Sequence, residues 1–103
     1  MLLMKKKFFD PIRRGLKTTT LRLWRTRRVS PGQVHTVPGL GRVRIEAVEL
    51  VALGELSAAD ARADGFASLA ALRRVLRELY PALRGRRAAG RQLHRVHFRL
   101  LNP

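Results

Sequence analysis

Alternating apolar residues mark stretches at both ends of this chain, and the two long helical-period segments fall between the last pair of them. Period-two patterning covers 18–24, 33–37, 42–51 and 92–100. Helical patterning covers 57–64 and 68–79. A strand alternates its side chains between two faces while a helix repeats every 3.6 residues, so one pattern does not serve as the other. This order does not suit a doubly wound parallel sheet, which needs a helix after each strand. It predicts an α+β fold: a small mixed sheet or β-barrel with a short N-terminal helix and two inserted helices. At 103 residues, with no linker or repeat dividing it, residues 1–103 read as a single domain.

Local signals sharpen the boundaries. Residues 8–15 read as the short helix, with Asp10 as N-cap, Pro11 at the first helical position and Gly15 as the stop. Ser30-Pro31-Gly32 and Pro38-Gly39-Leu40-Gly41 read as turns. In 42–51, Val43, Ile45 and Ala47 share one parity, whereas Val48 and Leu50 take the other. A phase slip of one residue predicts a bulge or bend there. Ser57-Ala58-Ala59-Asp60 has the spacing of a capping box, and Gly65 stops that helix. Ser68 caps the next helix, which carries Leu69, Leu72, Val75, Leu76 and Leu79 on one stripe and ends at Tyr80-Pro81. In the last strand His94, Val96, Phe98 and Leu100 share a face, with Leu93, Arg95, His97 and Arg99 opposite.

Charge is the second constraint. There are 22 Lys and Arg against 7 Asp and Glu, a net charge of +15. A GC-rich genome would produce the preference for Arg, which makes up 18 of the 22, but not the scarcity of acids or their placement. No acid occurs from Pro11 to Ile45 or from Leu83 to Pro103, and five of the seven lie between Glu46 and Asp64. A segregated basic surface is what a protein meeting phosphates presents, so a nucleic acid is the partner that charge alone leads one to expect. With no cysteine, disulfides and thiolate metal sites are excluded. Met1-Leu2-Leu3-Met4 precedes Lys5-Lys6-Lys7, the reverse of a secretory signal, and no run reaches membrane-spanning length. The expectation is a cytoplasmic protein with no membrane partner.

Gly15-Leu16-Lys17-Thr18-Thr19-Thr20-Leu21-Arg22 is the densest chemistry: two cations around three hydroxyls. A partly desolvated Lys17, its pKa lowered by a neighbour such as Arg22, can take the proton of Thr20 and make it a nucleophile. Residues 17 and 20 face opposite ways on one regular strand, so contact requires Lys17 to belong to the turn after Gly15. The alternative is a solvated lysine beside a threonine-rich strand. Asp64 stands at the negative end of its helix dipole, against the usual preference, and could pair with Lys17 or Arg22 or simply face solvent. Trp24 with Arg25, Arg27 and Arg28 can stack a base while neutralising phosphates; Trp24 can equally close the core. His94 and His97 point to opposite faces, so no metal is expected. No glycine-rich phosphate loop is present and no cofactor is implied.

Gly15, Lys17, Thr20 and Arg22 fill the pattern Gly-x-Lys-x-x-Thr-x-Arg, and on it the chain resembles the ASCH domain family of small PUA-like β-barrels. Leu56-Ser57-Ala58-Ala59-Asp60-Ala61-Arg62-Ala63-Asp64-Gly65-Phe66, Leu79-Tyr80-Pro81 and the closing strand follow in the family's order. The resemblance implies a barrel with a cleft at the signature, and a role with RNA or a modified nucleoside. The leading expectation from it is RNA binding, with Arg22, Trp24, Arg25, Arg27 and Arg28 as contacts. The alternatives are a ribonuclease, or an amidohydrolase that removes an acyl group from the exocyclic nitrogen of a cytidine. For the amidohydrolase, the resemblance implies Lys17 as base, Thr20 as nucleophile and, where the family has Glu, Asp64 as the supporting acid. Asp is one methylene shorter, which puts its reach in question.

Overall fold

The computed structural model describes residues 1–101. Its elements are helix α1 (Phe9–Arg13), strands β1 (Thr19–Arg22), β2 (Val34–Val37) and β3 (Gly41–Ala52), helices α2 (Ala58–Ala63) and α3 (Leu69–Leu79), and strand β4 (Gln92–Leu100). Short 3-10 turns at Lys6–Phe8, Leu53–Glu55, Pro81–Leu83 and Arg86–Gly90 join them. The strands form one sheet, in the order β1-β4-β3-β2, that curls into a half-barrel. Among the described residues every strand pairing is antiparallel, so the mixture here is of helix and strand, not of strand direction. The α+β PUA-like architecture is therefore the observed one.

The phase slip in β3 is a register shift between Ile45 and Ala47. Ile45 pairs with Phe98, Ala47 with His97 and Val48 with Val96. The extra residue, Glu46, is exposed, and it returns Val48 to the face already holding Val43 and Ile45. That face carries the first core, where Val43, Ile45, Val96 and Phe98 meet Phe9 and Ile12 of α1. The other face carries the second core, where Leu21 and Leu93 meet Leu72 and Leu76 of α3 and Leu83 beyond it. Burying such side chains stabilises by about 1.5–3 kcal/mol each, and α3 owes its position to this stripe. Among the described residues no helix is long and apolar enough to cross a membrane.

Caps and stops follow the sequence at α2 and α3. Ser57 and Asp60 form a reciprocal capping box, Ser68 accepts from the Ala71 amide, and α3 ends at Tyr80. The first helix differs. Asp10 is its second residue rather than its cap, 3.7 Å from Arg14, and Pro11 is its third. The preceding 3-10 turn runs straight into α1, and backbone carbonyls of Lys5 and Lys6 accept the Phe8 and Phe9 amides. The first donors are thus met without a side-chain cap. Strand β1 is also shorter than its pattern, because Leu23 and Trp24 leave the sheet to pack on the second and first cores respectively.

Candidate functional site

Lys17 sits in the turn after Gly15, as its contact with Thr20 would demand. Gly15 has φ +73°, and the amides of Leu16 and Lys17 both donate to the Pro11 carbonyl, at 2.9 and 3.2 Å. The chain then runs beside the end of α2. Lys17 and Asp64 form an isolated antiparallel bridge, and the Thr18 amide donates to the Ala63 carbonyl at 2.8 Å. Gly65 makes this approach possible. Its φ is +86°, and a Cβ there would stand 3.1 Å from the Lys17 Cβ.

The backbone bridge delivers the two side chains to each other. The Lys17 ammonium donates to the Asp64 carboxylate and, at 3.0 Å, to the Asp64 backbone carbonyl. Both residues are only 4% exposed. The shorter acid therefore reaches Lys17, because the backbone supplies what the side chain lacks. Two aromatic rings flank the ammonium, with centroids 4.8 Å (Phe8) and 6.0 Å (Phe66) from Nζ, within cation–π range. On β1, Thr20 and Arg22 are two residues apart and share a face. Arg22 Nε donates to Thr20 Oγ1 at 3.0 Å, and Arg22 Nη2 donates to the Leu3 carbonyl at 2.6 Å. Among the described residues no hydrogen bond links Lys17 to Thr20 directly.

Burial dominates the electrostatics. Desolvation lowers the Lys17 pKa and the charge of Arg22 adds to that, while Asp64 opposes it. Desolvation raises the Asp64 pKa against the opposing charges of Lys17 and Arg22. Arg22 is likewise lowered, first by burial. Burial thus pushes both members of the pair toward their neutral forms, against their mutual attraction.

Lys17, Asp64, Thr20 and Arg22 all line one cavity of about 320 Å³. Its other walls are largely apolar, with Phe8 and Phe66 near the amine, the α3 stripe from Leu72 to Leu79, and Tyr80. The N-terminal segment closes one side through Leu3 and Met4. A few convergent polar groups in a mostly apolar hollow is the usual make-up of a small-ligand site.

Four of the residues singled out from sequence therefore meet in the cavity, and four do not. Trp24 is half-buried on the first core, its ring centroid 5.6 Å from that of His94. Arg25, Arg27 and Arg28 are exposed beyond it. His94 is buried with Nδ1 lacking a hydrogen-bond partner, and its pKa is lowered by burial and by Arg27. His97 lies on the opposite face, paired with Glu49. Among the described residues no three His, Asp or Glu side chains group as a metal site. Phe8, Tyr80 and Leu3 are lining residues that sequence patterning does not single out. Phe8 reads only as part of a helix start, and a ring that flanks a lysine nine positions away leaves no periodic signal.

Comparison with solved structures shows what the architecture resembles. An ASCH domain from Lactobacillus crispatus superposes with a TM-score of 0.74 at 20% identity, over 88% of this chain and 68% of that one. The hypothetical protein PH0355 gives 0.76 at 17% identity, over 96% and 95%. Protein EF3133 from Enterococcus faecalis, of family model DUF984, gives 0.67 at 17% identity, over 92% and 70%. No family model and no curated protein matches the chain. At these identities the likeness establishes the fold, and that fold is ASCH-like.

Proposed function

We propose that this ASCH-like chain binds a nucleoside-sized ligand in the cavity and hydrolyses an amide on it, an acylated exocyclic nitrogen of cytidine being the fitting substrate. The observation that carries this reading is the convergence of Lys17, Asp64 and Thr20 on one small, mostly apolar hollow. A groove built only to grip a nucleic-acid backbone would need neither a buried acid nor apolar walls. In the proposed reaction Lys17 passes a proton to Asp64 and, as neutral amine, takes the Thr20 hydroxyl proton. The Thr20 oxygen attacks the acyl carbon, and Arg22 faces the charge that develops. The proton returns to the leaving nitrogen as the amide bond breaks. Water then cleaves the threonyl ester, releasing the carboxylic acid and regenerating the hydroxyl. Phe8 and Phe66 exclude bulk water from the amine.

The test is turnover of an N-acetylated cytidine by the intact chain. The expected result is measurable hydrolysis that falls by about 10²–10⁴ in Lys17→Ala, as loss of a general base does, and comparably in Thr20→Ala. Activity should rise with pH as Lys17 loses its proton. In Asp64→Asn that limb should move to lower pH, because the charge that holds the proton on Lys17 is gone. Undiminished turnover in either alanine variant sinks the reading, as does absence of turnover by the unaltered chain.

A second reading, contact with RNA, has its own support. Arg25, Arg27 and Arg28 are exposed next to Trp24. Among the described residues none of the three lies within salt-bridge distance of a carboxylate. Binding of single-stranded RNA that weakens steeply with salt is the expected outcome, and salt-independent binding contradicts it.

A further inference from the structure

Helix α3 has two working faces. Its apolar stripe walls the cavity. Its opposite face carries Arg73, Arg74 and Arg77, which with Arg84 line an open groove of about 690 Å³. Arg84 is fixed there by a bond from its Nε to the Arg77 carbonyl at 2.8 Å, which leaves the rest of its guanidinium free of that contact. Among the described residues no arginine of this groove is within salt-bridge distance of a carboxylate, although Glu78 stands on the groove wall. Asp60 and Glu49 pair with Arg95 and Glu46 with Arg99, so Glu78 is the one acid among the groove's lining residues, against four arginines. Of the lining residues only Ala70 is apolar.

We infer that this groove is a track for the phosphate backbone of single-stranded RNA, leading a nucleotide to the mouth of the cavity. Charge complementarity selects a polyanion. The lack of apolar anchors disfavours a folded protein partner, whose interface would centre on aromatic or aliphatic residues. Arginine forks suit phosphate oxygens. Arg73 and Arg77 are one helical turn apart, about 6 Å along the axis, a step comparable to that between neighbouring phosphates on an extended strand. Both sites reach the C-terminal end of α3: Glu78 lines the groove, Leu79 and Tyr80 line the cavity, and Leu79 is 40% exposed, so a strand leaving the groove has to pass around this helix end to enter the cavity. The choice of RNA rests on the second reading above; the face that carries the strand is new.

The experiment is fluorescence anisotropy of a labelled single-stranded oligocytidine with the full chain across a salt series. Two triple variants are compared: Arg74→Gln/Arg77→Gln/Arg84→Gln, and Arg25→Gln/Arg27→Gln/Arg28→Gln. All six side chains are exposed, and matching thermal melts check that the fold survives. If Arg84 proves needed for the fold, Arg74→Gln/Arg77→Gln replaces the first variant. The α3 variant should bind about tenfold more weakly and lose about 2 from the log–log salt slope, at roughly 0.7 per phosphate. Polyglutamate and anionic vesicles at equal charge should leave the RNA bound. An unchanged slope in the α3 variant with a loss in the other overturns the inference and leaves RNA contact standing. Displacement by polyglutamate or vesicles also overturns it, since the groove would then read charge alone. No RNA binding by the unaltered chain overturns both, while the hydrolysis test stands apart.

Discussion

Two sets of ion pairs use the same chemistry to opposite effect. Lys17 and Asp64 are sealed between α1, α2 and the rings of Phe8 and Phe66, with side chains 4% and 5% exposed. Arg95, Glu49, Asp60 and His97 form a network joining β3, β4 and α2 beside the second core, where the Glu49 side chain is 48% exposed. In the dry pair, burial pushes both groups toward neutrality. In the wet network, hydrogen bonds from Arg95 and then His97 hold the Glu49 pKa below its ordinary value. Water decides which term wins. An isolated pair in a low-dielectric site carries a large desolvation penalty, while a more hydrated network carries less of one and contributes little.

The strongest way to break the contrast is to orphan one member of the dry pair. Lys17→Met should destabilise by about 3–5 kcal/mol, because a buried carboxylate is left without its cation. Its folded pKa, already raised, rises further above the ordinary 3.8. The folded state then binds more protons than the unfolded one in that window, so stability is greatest below it and falls as pH rises. Asp64→Asn should show the mirror image. The Lys17 pKa drops further below 10.5, and stability climbs as pH rises through the folded value. Urea unfolding at several pH values reads both slopes, and parallel profiles in the two variants would contradict the assignment. Lys17→Met/Asp64→Leu should recover most of the loss, since apolar replacements of buried pairs are often tolerated.

A smaller effect tests how the pair is delivered. Gly65→Ala should cost about 1–3 kcal/mol, combining a left-handed backbone with crowding of the Lys17 stem. Gly15→Ala shares the positive φ but meets nothing within 4 Å, so it should cost only about 1–2 kcal/mol. Equal losses would mean that the close approach to Lys17 carries no strain. The smallest effect belongs to the wet network. Glu49→Gln should change stability by less than about 1 kcal/mol, and salt should erase the change. Because the folded Glu49 pKa is depressed, its contribution is present above the ordinary 4.5 and fades as pH falls through the folded value.

The elements legible in the sequence were those written in local contacts. Ser57 with Asp60, Ser68, Gly65 and the parity slip around Glu46 each involve neighbours within a few positions, and the structure has each at the position its local pattern predicts. The start of α1 departs from its local signal because a 3-10 turn satisfies the donors that Asp10 would otherwise cap. The candidate site was half legible. Residue types at 15–22 suggested a base and a hydroxyl, yet parity set Lys17 and Thr20 on opposite faces unless a turn intervened. The pairing of Lys17 with Asp64 spans 47 positions and depends on a backbone bridge, which periodicity does not encode. Trp24 illustrates the reverse: an aromatic beside arginines has the composition of a stacking site, but half of it is spent on the core.

The glycine after Asp64 changes how the acid should be compared with its longer counterpart. Reach is a property of the dipeptide: a short acid on a backbone brought close by Gly65 covers the distance that a glutamate would cover from farther away. Alignment by residue identity scores such an exchange as a loss. Measured from the lysine outward, the main chain has already closed the gap, so a longer acid alone, Asp64→Glu, has to carry its extra methylene past Lys17 into the cavity.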